Sequence, residues 1–359
     1  MKSFIDSCHR NNRSEVDQSL ANCSCRILIM VLMLAGPKWT WAGTMEPGAA
    51  IVADAGPVTN PIAPGLGLEN LSTRPVEFRL AAFNVETYLD VPTESRKEIK
   101  SDMARAKVRE SILSMAPDVL VLEEMGTPHA LKELQAGLAL SGLKLPYWDW
   151  VEGYDTNIHV SLLSRFPIVA RHPHTKEFFL LDGRRFQVSR GFLDDDIAVA
   201  PDFRLTVIGV HLKSRRPVTE ADEADLRYEE AKLLRRVVDD HLRADPLANL
   251  VVAGDMNDVP DSASTKVVVG RGKNRLWDTR PAEKLDDGSG PHDGHRPPRT
   301  VAWTHFYGVD DTYSRIDYIL LSPALKRHWL PGDTFIPRVE GWGLASDHRP
   351  VLASFQFDP

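Results

Sequence analysis

From Val76 onward the apolar positions fall in short runs of strand length, bounded by Gly, Pro, Asp and Asn, instead of in long helical stripes. The runs cover residues 76–84, 118–122, 160–164, 190–198, 204–211, 249–254, 316–321 and 351–357. Residues 192–198 and 203–210 pair naturally as a hairpin. Three segments carry the helical period instead. Ile99, Met103, Ala106, Ile112 and Leu113 make one apolar face; Leu131, Leu134 and Leu138 make a second. Leu226 to Leu242, through Leu233, Leu234, Val237 and Val238, makes a third. Strands outnumber helices, and the helices fall between strands. That mixture predicts an α/β sandwich of two packed sheets with helices outside.

The start of the chain reads differently. Ile27 to Ala35 is an apolar run behind Arg26, too short for a bilayer-spanning helix of about 20 residues and of the right length for the core of an export signal. Thr40-Trp41-Ala42 before Gly43 offers a small-residue cleavage site, so residues 1–42 are expected to be an export signal. A short membrane anchor or a buried helix is the alternative. Residues 43–74, rich in Pro, Gly and Ala, read as a linker, and residues 75–359 as a single folded domain. Cys8, Cys23 and Cys25 all precede the apolar run, and a thiol-free remainder suits an oxidising compartment. The expected location is periplasmic or extracellular, with no stable membrane anchor after cleavage.

Hydrophobic residues at 43% and charged residues at 26% exclude wholesale disorder. The net charge is −7, and loss of residues 1–42 makes it two units more acidic. Such a surface argues against a broad electrostatic grip on nucleic acid, yet leaves room for a local basic cleft. Lys213, Arg215 and Arg216 form one basic group, and Arg271, Lys273 and Arg275 another. Either is a solvated face unless it flanks a cleft, where it grips substrate phosphates. The Gly-, Pro-, Asp- and His-rich segment 282–299 reads as a surface loop. Its His292, Asp293 and His295 are a weak metal-binding possibility.

Six strings place polar, metal-competent residues at the end of an apolar strand. They are Phe83-Asn84-Val85-Glu86, Leu122-Glu123-Glu124-Met125, Val210-His211-Leu212-Lys213-Ser214, Gly254-Asp255-Met256-Asn257-Asp258, Ser314-Arg315-Ile316-Asp317-Tyr318 and Ser346-Asp347-His348-Arg349-Pro350. Each alone has a plain structural explanation: Asn84 as a turn cap, Asp255 and Asn257 as an Asx turn, His211 as a satisfied core histidine. Together and in this order they resemble the endonuclease/exonuclease/phosphatase superfamily, to which DNase I-like nucleases, abasic-site endonucleases, inositol polyphosphate phosphatases and neutral sphingomyelinases belong. Ser164-Arg165-Phe166-Pro167-Ile168 looks like another string of that family.

The resemblance implies a four-layer α/β sandwich, with the site at one rim of two mixed sheets, and makes residues 75–359 a catalytic domain. It implies Asn84, Glu124 and Asp347 as ligands of Mg²⁺, with Mn²⁺ as the other candidate; hard cations with oxygen ligands suit phosphoryl transfer. Asp255 then orients or deprotonates the attacking water, and Asn257 donates to a phosphate oxygen. Asp317 fixes the tautomer of His348, which stabilises or protonates the phosphoryl group. His211 is a second acid or a donor. Arg190 and Lys213 are candidate phosphate contacts. Glu123 stands where relatives often carry Gln.

A Cys-Asp-Arg string typical of inositol polyphosphate phosphatases is missing, and the histidine at 211 separates the chain from most abasic-site endonucleases. The nearest resemblance is to exported bacterial nucleases. A phosphodiesterase acting on DNA or RNA is therefore the leading expectation, with no protein partner evident. A phosphatase or sphingomyelinase-like enzyme is the alternative, and a catalytically silent binding module the third reading.

Overall fold

Alternation along the strands decides the layers. In β1 (Val76–Tyr88), Leu80 and Ala82 join one buried cluster while Ala81 and Phe83 join another, so both faces of this strand are covered. The computed structural model describes residues 75–283 and 301–358. The expected export signal, the whole of the expected linker over residues 43–74 and the histidines of the 282–299 segment lie outside the described residues.

The next strands are β2 (Val119–Met125), β3 (Tyr147–Val151), β4 (His159–Ser164), β5 (Ile168–Arg171), β6 (Phe178–Leu181) and β7 (Arg184–Gln187). After them come β8 (Phe192–Ala200), β9 (Phe203–His211), β10 (Asn249–Asp255), β11 (Trp277–Asp278) and β12 (Ala282–Glu283). The last are β13 (His305–Tyr307), β14 (Thr312–Ser314), β15 (Asp317–Leu321), β16 (Trp329–Ile336) and β17 (Val351–Phe357). One sheet runs β12-β16-β17-β1-β2-β4-β3 and the other β11-β15-β10-β9-β8-β5. Phe78, Leu80, Val121, Leu193, Val207, Val251, Ile319 and Phe355 fill the space between them.

Helices cover the two outer faces. Against the first sheet lie α1 (Asp102–Met115) and α2 (Pro128–Leu140), through Val108, Ile112, Met115, Leu131, Leu134 and Leu138. Against the second lie α3 (Glu223–Ala244) and α4 (Ala263–Val269), through Leu226, Leu233, Leu234, Val238 and Val268. The architecture is therefore the expected four-layer α/β sandwich. Among the described residues no helix is long and apolar enough to cross a membrane.

Two expectations need correction. Ser101 caps α1 by accepting from the Ala104 N–H, so Ile99 falls outside the helix, and Ile99 and Met103 are exposed at 47% and 65%. The packed face is Val108, Ile112 and Met115. Ala282 and Glu283, read as loop, pair with Phe335 and Ile336 at the edge of the first sheet.

A polar flaw sits in the inter-sheet layer. Asp195 is fully buried on the face of β8 that also carries Leu193 and Ile197. Burial first, and the neighbouring Asp149 carboxyl second, push its pKa up to about 8. The folded chain thus holds a proton that the unfolded chain releases near pH 4, and stability falls as pH rises from about 4 to about 8. Asp195→Asn is expected to remove that slope, gaining about 1–3 kcal/mol over the parent at pH 8 and little at pH 4. Urea melts at both pH values check it; parallel stability curves for the two proteins would discard the proton-sharing account.

Candidate active site

Strand register brings the six strings to one rim. Asp255 ends β10 opposite both His211 of β9 and Asp317 of β15, while Asn84 of β1 is level with Glu123 of β2. Asp347 and His348 precede β17, which runs antiparallel to β1 and meets Ala82 at Val351. The hydroxyl of Ser346 locks this junction, donating to the Asn84 carbonyl at 2.7 Å and accepting from the His348 N–H at 2.9 Å. Separate strings become neighbours because parallel and antiparallel strands end at the same edge.

Asp255 is the centre, 1% exposed. Its Oδ1 accepts from the Asn257 backbone N–H at 2.7 Å, and its Oδ2 from the side-chain amides of Asn84 and Asn257, both at 3.1 Å. His211 Nε2 stands 3.5 Å from Oδ2 and His348 Nε2 3.8 Å. Burial and the Asp317 charge lift the Asp255 pKa to about 7, against the pull of His348. A buried carboxyl poised near neutrality suits proton transfer at physiological pH.

The two histidines are held in opposite states. Burial and the Arg190 guanidinium keep His211 well below the usual range, so it is neutral. Burial opposes the charge on His348 too, but Asp317 and Asp255 outweigh it, and His348 is an imidazolium. Its Nδ1 donates to Asp317 at 3.0–3.1 Å, which turns Nε2 toward Asp255 and Asp347. Environments that separate two identical side chains in this way define an acid and a neutral donor.

Beside Asp255 lies an acidic corner. Glu86 has its pKa raised by burial and by Asp347, with Glu124 adding to the effect, so three carboxylates share the space. Glu124 sits at φ 61°, and Glu86 and Thr87 are also left-handed, at φ 45° and 54°. Non-glycine residues held there cost about 1–3 kcal/mol each and mark a constrained site. The Thr87 N–H donates to Glu124 Oε2 at 3.0 Å. The Asn84 side-chain oxygen accepts from the Glu86 N–H at 3.0 Å, keeping a second lone pair. Clustered carboxylates and one amide oxygen fit a hard, oxygen-coordinated divalent cation.

The cleft also gathers residues that sequence reading missed. Arg96 reaches within 3.9 Å of Glu124, and Lys100, 7% exposed, donates to the Ala345 carbonyl at 2.8 Å beside Glu86. Both come from the segment before α1, which carries no strand-end string. His305 of β13 faces Asp347 at 3.6 Å, and its ring lies 4.6 Å from that of His348. Burial, opposed by hydrogen bonding and charge from His305 and His348, leaves the Asp347 pKa lowered. Only the pairing of His305 with His348 brings that residue in.

Helix α3 clamps the basic side of the site. Buried Glu230 accepts from the Ser189 N–H and hydroxyl and from the Lys213 N–H, at 2.7–2.9 Å. Arg227 donates to Asp258 at 3.1 Å. Arg190, 6% exposed, donates to the Leu212 carbonyl, whereas the Lys213 ammonium is spent on the Ser214 and Arg216 carbonyls. Arg215 donates to the Asn257 carbonyl at 3.0 Å. The second basic group is elsewhere. Arg271, Lys273 and Arg275 lead into β11, where Trp277 is level with Leu321, roughly 13 Å along β15 from Asp317.

Fold and site together define a class, phosphoester hydrolases built on an α/β sandwich. The sequence pattern of the Endonuclease/Exonuclease/phosphatase family matches residues 81–348, most of the chain, and the chain belongs to that family. Its fold is similar to that of sphingomyelinase C from Streptomyces griseocarneus, at 18% identity over 78% of this chain and 99% of that one, with a TM-score of 0.51. It is also similar to an endonuclease/exonuclease/phosphatase family protein from Leptotrichia buccalis, at 17% identity, 78% and 100% coverage and a TM-score of 0.50. No curated protein matches significantly. At these identities the likeness carries the fold alone.

Proposed function

We propose that the chain is a divalent-metal-dependent phosphodiesterase whose substrates include DNA or RNA. The observation that carries the reading is the pairing of Asp255, lifted toward neutrality, with the imidazolium of His348 in one buried corner. Asp255 takes the proton of the attacking water, and the amides of Asn84 and Asn257 hold its carboxylate in line. His348, fixed by Asp317, donates from Nε2 to the phosphoryl oxygens. Neutral His211 contributes one N–H and has no acid proton to lose at neutral pH, which favours the role of donor over that of second acid.

Glu124, Asp347 and Asn84, with Glu86 beside them, would hold Mg²⁺ or Mn²⁺. Such an ion neutralises charge on the phosphoryl oxygens. Arg190 donates to the Leu212 carbonyl and lies 3.7 Å from Asp155, and Lys213 is committed to the Ser214 and Arg216 carbonyls, so both serve the loop more than the substrate.

The deciding experiment assays chelator-treated protein, with Mg²⁺ restored, on DNA, RNA, sphingomyelin and bis-p-nitrophenyl phosphate. Glu124→Ala is expected to raise the Mg²⁺ concentration for half-maximal rate about tenfold or more. Hydrolysis indifferent to chelation, or an unchanged Mg²⁺ dependence in the variant, overturns the metal assignment.

The position of the basic groups sharpens the nucleic-acid part. Arg216 is exposed next to the site, whereas Arg271 and Lys273 are exposed at the far end of the sheet. Arg216→Glu is expected to raise KM for DNA about three- to tenfold at low salt and flatten its salt dependence, sparing the small diester. Arg271→Glu/Lys273→Glu should change neither substrate. Equal effects on polymer and small ester would count against a polynucleotide substrate.

A further inference from the structure

The acidic corner and His348 share Asp347, and around His305 the donor set changes character. His305 Nε2 lies 3.6 Å from Asp347 Oδ2, and His348 Nε2 lies 3.9 Å from Asp347 Oδ1. One ligand atom from each of His305, Asp347 and His348 falls within 4.8 Å of the others. Tetrahedral Zn²⁺ with bonds of about 2.0–2.1 Å spaces its ligand atoms about 3.3–3.5 Å apart, so small side-chain rotations close the set. Two imidazoles and one carboxylate suit zinc-class cations, whereas the Glu86, Glu124 and Asn84 side offers oxygen only.

The set is preorganised by backbone. His305 and His348 form a bridge between chain segments, the Phe306 N–H donates to the Asp347 carbonyl at 3.0 Å, and the Arg349 N–H donates to the Thr304 carbonyl at 2.6 Å. Asp317 holds Nδ1 of His348 and thereby aims Nε2 toward Asp347 and Asp255, the carboxylate–histidine arrangement that supports metal-bound imidazoles. His305 has no part in the proposed hydrolysis.

We propose that His305, Asp347 and His348 form an inhibitory site for Zn²⁺ or a similar borderline cation. Binding displaces the Nε2 proton of His348 to solvent and takes Asp347 from the corner that serves Mg²⁺. Asp347 and His348 thus either serve the reaction or hold zinc. Inhibition should be relieved by excess Mg²⁺, since both cations draw on Asp347.

The test has a binding arm and a rate arm. Chelator-treated wild type, His305→Ala and His305→Gln are titrated with Zn²⁺ against a chromophoric chelator and with Co²⁺ by visible absorption, after a thermal melt confirms folding. The expected result is one tight site in wild type, with ligand-field bands of low-coordinate Co²⁺, weakened tenfold or more in both variants. In Mg²⁺-driven diester hydrolysis the variants should need about tenfold more Zn²⁺ for half inhibition, each measured against its own zinc-free rate. Equal Zn²⁺ affinity in all three proteins, or zinc bound without loss of rate, overturns the proposal. The inference rests on the proposed catalytic use of His348 only in the rate arm. If no diester is hydrolysed the functional reading fails, while the Co²⁺ spectra still decide the site.

Discussion

Asp255→Asn is expected to lower the rate of phosphodiester hydrolysis by about three orders of magnitude or more, with the folded chain retained. The side chain collects three amide N–H donors inside a 1% exposed pocket, so its shape is fully specified. Asparagine keeps that shape and removes the base. Removal of the carboxylate also strips His348 of one of the three charges that keep it cationic, leaving Asp317 and Asp347. Water attack and phosphoryl stabilisation therefore weaken together, and the loss should appear in kcat more than in KM. Single-turnover rates with circular dichroism as the fold control measure it. A residual rate within tenfold of the parent would remove Asp255 from the proton-transfer role.

The parts legible in the sequence are those governed by period-2 alternation in buried strands. Residues 351–357 match β17 end for end, and the 192–198 and 203–210 hairpin appears as β8 and β9, with Phe192 level with Val210. Central strands are apolar on both faces, which leaves a strong signal. Elements at or next to a sheet edge leave none. β16 contains Pro331 and Gly332 and is half exposed, and β11 and β12 are two residues each. Helix α4 reads Ala-Ser-Thr-Lys-Val-Val-Val, a β-branched run that propensity assigns to strand; packing of Val268 against α3 and the Ser262 cap override it.

The site divides the same way. Residues carried in strand-end strings, Asn84, Glu124, His211, Asp255, Asn257, Asp317, Asp347 and His348, could be picked out because each string couples a strand signal to unusual chemistry. Arg96, Lys100 and His305 could not: two sit in an irregular segment, and the third lies on a three-residue strand whose place depends on cross-chain pairing. The family-typical glutamine position shows the reverse case. Glu123 was visible as a departure, but only the structure shows its consequence. It is fully buried beneath Asp255 and Asp317, neither oxygen has a hydrogen-bond partner, and burial raises its pKa so far that it is a neutral acid.

Glu123 also tightens the constraint on Gly254, where the second large effect is expected. Gly254→Ala should destabilise the fold by about 3–5 kcal/mol, combining overpacking with a backbone conformation foreign to alanine. Gly254 has φ 134°, a region that side-chain-bearing residues rarely adopt. A Cβ there would stand 2.1 Å from the Val210 carbonyl oxygen and 2.7 Å from Glu123 Oε1. The carboxyl can swing aside; the carbonyl belongs to β9, which is hydrogen-bonded to β10 along its length from Asn249 to Asp255. Relief therefore requires the two strands to part where His211 and Asp255 face each other, so stability and site geometry fail together. Glu123→Ala in the Gly254→Ala background should restore little, because the nearer clash is with backbone. Urea unfolding of the single and double variants tests this directly. A Gly254→Ala protein melting within a few degrees of the parent would show that the β9–β10 contact yields more easily than the packing at this rim implies.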